Sequence, residues 1–146
     1  MFNNNYNFIK PGLAAGLVML VAMIIVSYGF SMVFPQIQQE YSTQMYRSAE
    51  DPLMLVFLLY PFVLGLIMSW IWDKTSLIMK GDNLTKVVNF TLAYFVITQI
   101  PGMFVTYTSM NVTLLMIMSW MFSNLIQVLF GSYLISKMNK KKVSIF

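Results

Sequence analysis

The chain has 146 residues, of which 58% are hydrophobic and only 10% charged. A soluble domain carries about 25% charged residues, so this chain lacks the charge to clothe a water-facing surface. It contains no cysteine and no histidine, which excludes disulfides, thiolate metal sites, thiol nucleophiles and imidazole general bases together. Its net charge of +4 invites a nucleic-acid reading, but no segment interleaves basic and aromatic residues as a single-strand platform does.

A helix rises about 1.5 Å per residue, so roughly 20 apolar residues cross a hydrocarbon core about 30 Å thick. Four stretches reach that length, at about residues 11–34, 52–72, 85–107 and 112–136. Apart from Lys86 at the rim of the third, they hold no Asp, Glu, Lys, Arg or His. In lipid the backbone must satisfy its own hydrogen bonds, which leaves helices or a closed barrel. Continuous apolar runs without period-2 alternation exclude the barrel. The expectation is an all-α membrane protein. Four transmembrane helices form an up-down-up-down antiparallel bundle in a single domain over 1–146, which ends in a basic tail over 137–146.

In chain order, the first stretch is too long for the apolar core of a signal peptide and is read as a retained helix that Pro35 stops. Its Gly12-x-x-x-Gly16 spacing predicts close backbone approach by another helix. Asp51-Pro52 predicts an N-cap with proline at the first helical position of the second stretch. There Pro61, Gly65 and Ser69 recur every fourth residue as a packing stripe. The third carries Gln99, Pro101 and Gly102 together, which predicts a kink near 98–102. The fourth is predicted to be capped by Asn111 and carries the small-and-polar stripe Ser119, Ser123, Gln127 and Gly131. The 14 methionines read as flexible packing residues rather than metal ligands.

Lysine placement sets the expected direction. Lys10, then Lys74, Lys80 and Lys86, then Lys137, Lys140, Lys141 and Lys142 fall in three segments that share one side of an even-numbered bundle. The other side holds only Arg47. The positive-inside rule therefore places both termini and the second loop in the cytoplasm. The four tail lysines, Lys137, Lys140, Lys141 and Lys142, are a candidate contact for anionic lipid.

Counting from the outer ends, Tyr60, Gln99 and Trp120 fall about 12–14 Å below the boundary, with Ser27 near the same level. Ser123 and Asn124 come just beneath. The candidate site is therefore an interior polar layer of Ser27, Tyr60, Gln99, Trp120, Ser123 and Asn124, read as interhelical glue or as the floor of a small outward pocket. Gly12, Gly16, Gly65, Ser69 and Gly131 are the candidate helix-packing positions. The outer-loop acids Glu40, Glu50 and Asp51 are hard-oxygen ligands by type, but Arg47 between them is expected to pair with one.

Coupled transporters set an ionisable residue inside the membrane, and apart from Lys86 at the rim none of Asp, Glu, Lys, Arg or His lies in these stretches. No phosphate loop, nucleophile–base pair or cofactor motif is present, so neither enzyme activity, cofactor nor metal is expected. In layout the chain resembles several uncharacterised small four-helix bacterial membrane-protein families. The shared features are Tyr46-Arg47 followed by Asp51-Pro52, then Gly65, Gly81 in the inner loop and Gly131. That resemblance implies the helical layout and carries over no activity. The expected role is an accessory, assembly or scaffolding component of the cell membrane, with a membrane-protein partner or a second copy of itself. The alternative is a passive carrier or channel for a small neutral or hydrophobic molecule.

Overall fold

The computed structural model of the chain describes residues 7–41, 47 and 50–139. Lys140, Lys141, Lys142 and Tyr46 lie outside the described residues. The elements are α1 (Ile9–Val33), α2 (Gln36–Tyr41), α3 (Leu53–Phe57), α4 (Tyr60–Thr75), α5 (Asn83–Tyr94), a π-helical turn over Phe95–Gln99, α6 (Ile100–Ser109) and α7 (Leu114–Met138). Four continuous or near-continuous rods result: Ile9–Val33, Leu53–Thr75, Asn83–Ser109 and Leu114–Met138. Each is long and apolar enough to cross a membrane. They correspond to the four predicted stretches, with ends shifted by one to three residues.

Local chemistry explains most of the ends. The Phe34 N–H still reaches the Phe30 carbonyl at 2.8 Å, but Pro35 has no N–H to offer and α1 stops. Gly81 turns the chain into α5 with φ 102°, a conformation that side-chain-bearing residues avoid. Asp82 then caps α5, accepting from the Thr85 N–H at 3.1 Å and from its hydroxyl. Asp51 Oδ1 accepts from the Leu53 N–H at 2.9 Å at the start of α3. The cap of α7 is Thr113, not Asn111: the Thr113 hydroxyl accepts from the Met116 N–H at 3.3 Å. Val112 is drawn into an apolar cluster with Met116 and Ile117, which delays the helix by two residues.

Two prolines disturb their helices in opposite ways. Each lacks the N–H that would reach the carbonyl four residues back, and its ring crowds that carbonyl. Before Pro101 the helix widens. The Ile100 N–H reaches five residues back, to Phe95, and Phe95–Gln99 forms a π turn. Before Pro61 the helix tightens, with three-residue bonds from Leu58 to Leu55 at 3.1 Å and from Leu59 to Val56 at 3.0 Å. The second rod is therefore interrupted at Leu58–Leu59, where the sequence predicted one unbroken helix.

α1 makes its widest contacts with α4 and α7. A Cβ on Gly12 would lie 2.8 Å from Leu66 Cα, one on Gly16 would lie 2.7 Å from Phe62 Cα, and one on Gly65 would strike the Gly12 carbonyl oxygen. As numbers rise along α1 they fall along α4, so the two helices run in opposite directions, backbone against backbone. Met19 of α1 fills the space over Gly131 of α7, its sulfur 2.6 Å from where a Cβ would stand. α5 reaches α7 through Asn83 Nδ2, which donates to Ser136 Oγ at 2.8 Å. Ala15, Met19, Leu64, Met68, Trp72, Val87, Phe90, Val128 and Ile135 form the main core. Trp72 meets Phe90 edge-on at 5.2 Å. That core fills the end of the bundle holding the start of α1 and the end of α7. At the other end, α3 and α6 contain no buried residue.

Candidate functional site

Toward the opposite end from that core, α1, α2 and α7 together line a cleft. Ser27, Phe30 and Ser31 of α1, Ile37 and Tyr41 of α2, and Ser119, Trp120 and Ser123 of α7 bound a cavity of about 40 Å³. The spacing explains the lining. Ser27 and Ser31 lie one turn apart on α1, as do Ser119 and Ser123 on α7, so each pair shares a helix face.

α2 is held down at three points. Ile37 is buried. Tyr41 Oη accepts from Trp120 Nε1 at 2.7 Å. Glu40 accepts from the Thr113 hydroxyl at 2.5 Å and from the Thr113 N–H at 3.2 Å. The carboxylate thus sits at the N-terminus of α7, where unpaired backbone donors and the helix dipole favour negative charge.

Inside the cleft two of the four serine hydroxyls donate to backbone carbonyls. Ser31 Oγ donates to the Ser27 carbonyl at 2.9 Å, and Ser119 Oγ donates to the Met116 carbonyl at 2.7 Å. Gln127 Nε2 donates to Ser123 Oγ at 3.1 Å from one turn further along α7. Ser31 and Ser119 therefore present oxygen lone pairs to the cavity.

The predicted polar layer is divided between two places. Ser27, Trp120 and Ser123 meet at the cleft. Tyr60 and Asn124 meet elsewhere, where Asn124 Nδ2 donates to Tyr60 Oη at 3.3 Å and the Phe57 ring stacks on Tyr60. Gln99 is buried at the end of the π turn. Among the packing positions, Gly12, Gly16 and Gly65 converge on one contact, Gly131 receives Met19, and Ser69 is fully buried. Reasoning from sequence missed α2. Its signal was present: Pro35 restarts the chain and Ile37 and Tyr41 stand four residues apart, on one helical face.

Elsewhere, Arg47 pairs with Asp51 at 2.9 Å, as expected. The Arg47 and Leu53 donors hold the Asp51 carboxyl below the usual carboxylate range, the backbone bond to Leu53 being the larger cause. Lys137 Nζ lies 5.1 Å over the Tyr133 ring, and Lys86 Nζ donates to the Ser76 carbonyl at 2.9 Å. Among the described residues no three of His, Cys, Asp or Glu gather in a group able to hold a metal ion.

The fold is that of a membrane-spanning bundle of four helices with a small polar cleft. Comparison with known proteins finds no family model, no curated protein and no solved structure that matches the chain.

Proposed function

We propose that the chain is a non-enzymatic, multi-pass component of the cell membrane that acts by contact with other membrane-spanning helices, as an accessory, assembly or scaffolding protein. One observation carries the reading. Leu53–Phe57 and Ile100–Ser109 bury no residue in their own bundle, Met103 resting only partly covered on the Val112–Met116–Ile117 cluster, while α1 and α4 are locked together through Gly12, Gly16 and Gly65 and α7 joins them through Met19 over Gly131. A stiff unit thus presents two largely exposed helical segments. A photo-crosslinking residue at Phe57 or Phe104 should give discrete protein–protein adducts in native membranes. Adducts to lipid alone at both positions would remove this reading.

In this proposal the rods run up-down-up-down with both termini and the second loop cytoplasmic, supported by the eight-to-one lysine and arginine asymmetry. Reporters active only in the cytoplasm should work at either terminus and fail when inserted near residue 42. The tail lysines Lys137, Lys140, Lys141 and Lys142 would rest on anionic headgroups.

The cleft favours a second reading, a passive route for a small neutral molecule. It reaches Ser27, Trp120 and Ser123, and solute-driven swelling of proteoliposomes that exceeds that of empty vesicles is its test.

A further inference from the structure

We infer that the cleft between α1, α2 and α7 is a hydrated vestibule, whose ligand is water, reaching the carboxamide of Gln127 near the middle of the fourth rod. The inference goes beyond both functional readings and stands whether or not the chain has protein partners.

The argument begins with an unanswered acceptor. Gln127 is 4% exposed, and its Oε1 has no hydrogen-bond partner. Its Nε2 is spent on Ser123 Oγ, a wall of the cavity. A buried carbonyl without a donor costs about 1–3 kcal/mol, and lipid chains supply no donor. The neighbouring Asn124 Oδ1 is likewise buried and unpartnered. Two carboxamide oxygens awaiting donors, three residues apart on one helix, call for a molecule that brings protons.

The cleft is built to bring water to the Gln127 side, through Ser123, which lines it and accepts from Gln127. One water needs roughly 10–15 Å³ of such space and two to four polar partners. The cavity measures about 40 Å³, enough for two or three. Ser31 and Ser119 have directed their protons at backbone carbonyls, so their lone pairs face an incoming donor. No Asp, Glu, Lys or Arg lines the cavity, so a bare ion meets no countercharge there. The path then closes. One turn beyond Gln127 stands Gly131, and Met19, fully buried, occupies the space a side chain would take. Gln127 is 13 residues into a 25-residue helix, about 20 Å along it from its start, and hydration that reaches it stops at an apolar seal.

The absence of cysteine makes the test clean. Single-cysteine variants Ser119→Cys and Ser123→Cys place a thiol in the vestibule. Ser132→Cys and Ser136→Cys place one among buried residues beyond the seal. In lipid nanodiscs, where both faces meet solvent, each is treated with Ag⁺. The thiol left free is then counted by alkylation with N-ethylmaleimide after denaturation. Thiols react as thiolates, which form where water is present. Ser119→Cys and Ser123→Cys should therefore be blocked roughly tenfold or more faster than Ser132→Cys. Rates at both vestibule positions equal to that at Ser132→Cys would overturn the inference. Should one vestibule variant fail to elute like the parent protein, the other carries the test alone.

Discussion

The glycines of this chain differ sharply in what surrounds them, and that difference is measurable. Gly65→Ala drives a methyl into the backbone of α1, which has nowhere to move. Overpacking of this kind costs about 1–3 kcal/mol or more, so a clear fall in thermal stability in detergent is expected. Gly131→Ala strikes only the sulfur and Cγ of Met19, a flexible side chain able to yield, and a smaller loss is expected. Gly102→Ala meets nothing within 4 Å and gains helix propensity of up to about 1 kcal/mol, so stability should hold or rise. The ranking Gly102→Ala above Gly131→Ala above Gly65→Ala is the prediction, and any reversal between the first and last contradicts it. The Asp82 cap adds a pH dependence. Donors on Thr85 hold its carboxyl below the usual carboxylate range. A depressed carboxylate stabilises the fold above its unfolded value and loses that contribution as pH falls through the folded one. Asp82→Ala should therefore abolish a small acid-dependent part of the unfolding profile below about pH 4 and leave its neutral-to-basic part flat.

Among the helices, the two prolines offer a controlled comparison. Pro101 is exposed and its π turn already accommodates the missing donor. Pro61 is fully buried and its carbonyl oxygen faces Gly16. Pro101→Ala should change stability by less than about 1 kcal/mol, whereas Pro61→Ala removes packed atoms and should cost about 1–3 kcal/mol. Equal effects in thermal melts would contradict the assignment of Pro61 to a packed contact. The same pair shows what could be read beforehand. Pro101 stood beside Gly102 and Gln99, an evident weak point. Pro61 lay inside an apolar run whose pattern gave no hint that the turn ahead of it would tighten. α2 was hidden for a related reason: six residues bury only Ile37, too short a segment for periodicity to register. The Thr113 cap was hidden because it follows from Val112 packing, a tertiary event, and not from the Asn111 that local preference favours.

At the scale of the whole molecule, composition and run length were enough for four rods, because lipid permits so few backbone solutions. Which rods touch was not legible. Gly12 and Gly16 announced a close contact, but their partner Gly65 emerged only once the facing of α4 was known. The azimuth of the polar residues was not legible: Ser27 and Trp120 meet Ser123 at the cleft while Tyr60 meets Asn124 apart from it. The tether between Glu40 and Thr113 has a consequence for how the protein is made. It spans 73 positions, so at about 5–20 residues per second of synthesis the anchor for α2 is roughly 4–15 s from being translated when Glu40 is complete. During that interval α2 has nothing to close onto. A ribosome-stalled chain ending before residue 110 should leave a cysteine at Ile37 open to a water-soluble maleimide, and release of the finished chain should shield it. Shielding already complete in the stalled chain would mean that α2 finds its seat without the last helix.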